Sequence, residues 1–88
     1  MIRVISVDLN DRQGVVVIEA DSQEEARSMA ARQAALTKAA QAGLPRPGIS
    51  NNEAPYPVDN DGQTDDDLMQ GRRPVAGYRC AFTVTAGL

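Results

Sequence analysis

Between Leu44 and Pro74 the chain carries all five of its prolines and shows no periodic apolar pattern. That stretch decides most of what the rest can fold into. Proline lacks the backbone donor that helices and inner strands need, so regular structure is expected on either side of it. Glu53, Asp59, Asp61, Asp65, Asp66 and Asp67 fall in the same stretch, with no basic residue between Arg46 and Arg72. A connection of this length reads as an extended or partly disordered acidic loop, residues 45–74, within one small domain spanning residues 1–88. Leu68 and Met69 can anchor a short turn behind the Asp run, whose carboxylates suit a helix N-terminus.

The patterned residues lie outside that loop. Ile2 to Leu9 is rich in β-formers, with apolar groups on both faces. Asn10 to Gly14 carries turn chemistry, and Val15 to Ala20 makes a second strand, so the two form a hairpin. Ser22 followed by Glu25 matches a capping box. From Gln23 to Ala42 the residues are strong helix formers, stopped by Gly43 and Pro45, which predicts one long helix. Its core stripe is expected at Ala26, Met29, Ala30, Gln33, Leu36, Thr37 and Ala40. Arg27, Arg32 and Lys38 fall outside the stripe. From Gly77 to Ala86 apolar and polar residues alternate, with Tyr78, Cys80, Phe82 and Val84 on one face. The expected fold is α+β in the order β-β-α-β. A three-stranded antiparallel sheet, ordered 2-1-3, packs against the long helix. The second strand would then be an open edge, and the sheet's second face would need the loop, a second copy or a partner to cover it.

Leu, Ile, Val and Phe total only 18 of 88 residues, and 13 alanines supply much of the remaining apolar content. A core this thin points towards stabilisation by association.

Chemistry is strongly bounded. There is no His and one Cys, so neither a His-based acid/base site nor a Cys/His zinc site can be built, and no metal or cofactor is expected. Cys80, flanked in alternation by Tyr78 and Phe82, reads as a buried inert thiol, and no catalytic residue is nominated. The net charge of −3 argues against direct binding to nucleic acid. No apolar run is long enough to span a membrane, and no signal-peptide core precedes Leu9, so a cytoplasmic protein of a bacterial host is expected. Asp59 to Asp65 resembles a calcium loop, but the EF-hand frame fails. Placing Gly62 at its sixth position puts Pro57 and Leu68 where carboxylates are needed. Arg72, Arg73, Arg79 and Arg3 read as counter-charges for the acidic loop rather than as an anion site.

The run VVVIEADSQEEARSMAARQAA, a strand followed by a capped Ala-rich helix, resembles small accessory proteins of bacteriophages and mobile elements. Several anti-CRISPR proteins are of this kind: short, non-enzymatic and single-domain. The likeness covers residues 14–42 and carries over no functional residue, and the long Pro/Asp-rich loop departs from it. It implies a stoichiometric inhibitor that binds a host CRISPR-Cas effector and excludes or traps its nucleic acid. The partner-binding residues expected are the loop acids Glu53, Asp59, Asp61, Asp65, Asp66 and Asp67, together with Arg27, Arg32 and Lys38 of the helix. Two alternatives stand beside it. One is a structural protein that self-associates, as a homodimer or larger, through its open sheet edge. The other is a calcium-binding module.

Overall fold

A computed structural model describes residues 1–87. In chain order the elements are β1 (Arg3–Leu9), β2 (Gln13–Ala20), α1 (Gln23–Ala26), α2 (Met29–Gln41), β3 (Gly48–Asn52), β4 (Tyr56–Val58), α3 (Asp66–Met69) and β5 (Gly77–Thr85). The α+β class is as expected. The expected three-strand sheet and its order are not: the five strands form one antiparallel sheet ordered β1-β2-β5-β3, with β4 also pairing β5.

β1 and β2 form the expected hairpin, closed by Asn10 N–H on the Gln13 carbonyl at 2.7 Å. β5 then lies against β2, not β1, from Gln13↔Thr85 through Ala20↔Tyr78. The physical reason is in β2. The run Gly14 to Ile18 carries no charge, which suits an inner strand with a neighbour along each edge. β1 carries Arg3 and Asp8, and charged side chains are well tolerated at an edge. β1 is therefore one edge of the sheet, with β3 and β4 at the other, correcting the expectation that placed an open edge at the second strand.

The other side of β5 is shared end to end by β3 and β4. Both lie within residues 45–74, where the sequence has no alternation. They need none, because a short outer strand is held by its backbone ladder. Pro57 sits in β4 opposite Tyr78 with β5 on one side only, so its missing N–H leaves no inner ladder broken.

The single long helix is also corrected. α1 ends after one turn and α2 begins anew, because Ser28 intervenes. Its hydroxyl donates to the Glu25 carbonyl at 2.6 Å and accepts from Ala31 N–H at 3.2 Å, ending one helix and capping the next. Ser22 caps α1 through Glu25 N–H, and the Glu25 carboxylate accepts in return from Asp21 N–H. At the far end Gly43 takes φ +107°, and Leu44 N–H closes on the Ala39 carbonyl at 3.0 Å.

The restart at Ser28 changes which face of the helix is buried. Ala31, Ala35 and Ala39 are fully buried, whereas Met29 is 70% exposed and Ala30, Gln33, Thr37 and Ala40 face solvent. Of the expected stripe only Ala26 is buried, with Leu36 packed partly against the core. Alanines at i, i+4 and i+8 let α2 lie close to the sheet. Val16, Ile18 and Ala20 of β2 and Cys80, Phe82 and Val84 of β5 meet them, with Leu44 closing the end. Each large apolar side chain buried here contributes roughly 1.5–3 kcal/mol.

Candidate functional site

α1 and α2 cover one face of the sheet. The other carries Arg3, Ile5, Val15, Val17, Glu19 and Arg79, and part of the acidic segment folds over one end of it.

That segment is built by its own acids. Asp59 Oδ1 accepts from Asp61 N–H at 2.9 Å and Gln63 N–H at 3.0 Å, bending the chain into an Asx turn. Gly62 takes φ +77° at the turn. Asp65 Oδ1 caps α3 through Leu68 N–H at 2.9 Å. Leu68 is buried, while Met69 is exposed. The bond from Leu68 N–H, helped by the Arg73 guanidinium, holds the Asp65 carboxyl below the usual aspartate range. Arg73 reaches Asp65 and, at 3.8 Å, Asp59, and Arg72 reaches Asp67 at 2.9 Å. These two arginines are the counter-charges expected of them.

Glu53, Asp61 and Asp66 differ from the other three acids. They are exposed, and among the described residues their carboxylates make no ion pair. The Glu53 backbone is fixed at the end of β3, with its N–H on the Ala81 carbonyl and its carbonyl 3.1 Å from Cys80 Sγ. Burial, then the Glu53 carboxylate, pushes the Cys80 thiol up, against an opposing pull from Arg27. Arg27 caps the end of α1, Arg32 is half-exposed, and Lys38 is exposed in the last turn of α2. These cations sit on helices that pack on the face opposite the Asp59–Gly62 turn, so that turn and the helix cations do not form one surface.

Arg3 and Arg79 have a different counter-charge from the one expected. They flank Glu19, which is 8% exposed, in a row running across β1, β2 and β5. Arg79 Nε donates to Glu19 Oε1 at 3.0 Å, and Arg3 Nη2 bonds Oε2. Sequence reasoning missed Glu19, because it reads as the polar end of an apolar strand. The available signal was register: a lone acid near the end of a strand facing both sheet sides needs a cation on each neighbour. Gly62 brings the turn directly against this row. A Cβ there would lie 2.7 Å from Arg79 Nη2. Between turn and sheet lies an open polar cavity of about 430 Å³, lined by Arg3, Ile5, Glu19, Asp59, Asn60 and Arg79 among others.

Among the described residues no three His, Cys, Asp or Glu side chains converge as a metal-binding group. No helix of the described residues is long and apolar enough to cross a membrane. Compared with known proteins, the chain matches no family model, no curated protein and no solved structure.

Proposed function

We propose that the protein is a non-catalytic protein-binding domain that inhibits a host nucleic-acid-targeting complex by stoichiometric binding, in the manner of an anti-CRISPR protein. The observation that carries the binding surface is the division among the loop acids. Asp59, Asp65 and Asp67 hold the segment in shape, and Glu53, Asp61 and Asp66 are displayed on it with no ion pair among the described residues. Carboxylates presented on an already ordered backbone lose little entropy when they meet a basic surface, which favours both rate and specificity. The inhibitor class comes from the sequence likeness at residues 14–42. In this reading Arg27, Arg32 and Lys38 make a separate, secondary contact.

The test is affinity capture from lysates of bacteria carrying defence systems, using the folded chain and a Glu53→Lys/Asp61→Lys/Asp66→Lys variant. One stoichiometric partner, retained by the parent and lost by the variant, is expected. Retention unchanged by the variant removes the acidic segment from the interface. An empty capture by the folded parent removes the inhibitor reading.

A further inference from the structure

We infer that β1 is the interface of a symmetric homodimer, in which it pairs antiparallel with β1 of a second copy, Arg3 opposite Asp8, Val4 opposite Val7 and Ile5 opposite Ser6. Among the described residues β1 pairs with β2 on one side and with no strand on the other. Its ladder to β2 is irregular: Val4 pairs Ile18 and Ser6 pairs Val17, leaving Ile5 as an extra residue. An extra residue resets the alternation of side chains along a strand.

The reset gives β1 a mirrored pattern. Arg3, opposite Glu19, and Asp8, opposite Val15, share the face away from the helices. Val4, opposite Ile18, and Val7, opposite Val16, share the helix face. Ile5 and Ser6 lie between them on the same face as Arg3, with Ile5 lining the cavity beside it. Exposure follows the same symmetry, with Val4 and Val7 half-buried and Arg3, Ile5, Ser6 and Asp8 exposed. Residues directly opposed in an antiparallel pair must project to the same face. In a regular strand residues 3 and 8 cannot do so, because five positions separate them. The extra residue at Ile5 makes the register consistent at every pair.

The choice of a second copy over another strand rests on the same features. A bulged edge is a poor template for an unbulged strand. About its own two-fold axis the kink meets an identical kink. Charge agrees as well: Arg3 is 63% exposed even with Glu19 bound, and Asp8 has no ion-pair partner among the described residues. The two-fold axis makes the Arg3–Asp8 contact twice. It also withdraws Ile5, 39% exposed, and the outer flanks of Val4 and Val7 from water.

Mass measured by light scattering across a concentration series is expected to rise to that of two chains. Asp8→Arg places like charges opposite one another twice, at a position whose side chain makes no ion pair among the described residues. It should keep its circular dichroism spectrum and raise the dimer dissociation constant at least tenfold. The register is read separately with Ile5→Cys and Ser6→Cys variants. Opposed Cα atoms in such a pair lie about 4.5–5.5 Å apart, within disulfide reach. The mixture should cross-link under mild oxidation, and neither variant alone should match it. A chain that stays monomeric, a D8R dimer as tight as the parent, or cross-links favoured within either single variant would each overturn the inference.

Discussion

Glu19 and Arg79 are joined across the β2–β5 ladder, Nε to Oε1 at 3.0 Å, with the carboxylate nearly closed to solvent and the guanidinium only one-quarter exposed. Arg3 completes the group from the outer strand but lies mostly in water. The two arginines are therefore unequal. Removing Arg79 leaves a buried carboxylate with one exposed partner, and Arg79→Ala should cost about 2–4 kcal/mol. Arg3→Ala should cost about 0–1 kcal/mol, as exposed pairs do. Urea unfolding of both variants in dilute solution gives the order, and equal losses would contradict the asymmetry.

The buried face of α2 makes a second prediction. Ala35 is closed against the sheet, and Ala40 on the same helix faces water. Ala35→Leu should destabilise the chain by about 1–3 kcal/mol through overpacking. Ala40→Leu should fall within about 0.5 kcal/mol of the parent. Thermal unfolding of the pair distinguishes the observed face from one running through Ala30 and Ala40.

Asp65 makes a prediction in pH. Its carboxyl is held below the ordinary aspartate range in the folded chain, so between its folded and unfolded values the unfolded chain binds more protons. The cap's contribution is complete above the unfolded aspartate value of about 3.9 and is lost as pH falls through the lower, folded one. The Leu68 amide resonance, whose N–H the carboxylate accepts, should titrate with a midpoint below that of a free aspartate. It should stop titrating in Asp65→Asn. A midpoint at the ordinary value would show that the cap does not hold the charge.

Cys80 has a protonated thiol under the core, and thiolate is the reactive form. Iodoacetamide should leave the native chain unmodified near neutral pH and alkylate it fully in urea. Rapid native labelling would mean that β5 opens readily, because Sγ is otherwise reached only by unpacking the strand.

Features that depend on neighbouring residues were legible in the sequence. The Ser22–Glu25 cap, the stop at Gly43, the alternation that buries Cys80, Phe82 and Val84, and the pairing of Arg72 and Arg73 with nearby acids all follow from short spacings. What was not legible depended on a distant choice. Whether β5 pairs β1 or β2 turns on which strand can bear both neighbours, and the position of Glu19 matters only after that choice. Ser28 looked like one polar residue in a helix-forming run, and its cap bonds with Glu25 and Ala31 exist only once the chain turns there. β3 and β4 have no periodicity because β5 supplies their order. In the acidic segment the signal of charge was plain, but the split between acids that brace the turn and acids that face outward needed geometry.

The position of β5 bears on how a nascent chain reaches this fold. Every other described element precedes it in the sequence, yet it lies between β2 on one side and β3 and β4 on the other. While the polypeptide emerges from the ribosome, the hairpin, the helices and the two short outer strands must wait without the strand that joins them. Assembly is therefore concentrated in one late insertion that closes long sequence separations at once, which favours an all-or-none transition over a stepwise one. Until that insertion Val16 and Ile18 remain uncovered on the flank that β5 will occupy, so this is the interval in which the chain is most exposed to chaperones and proteases.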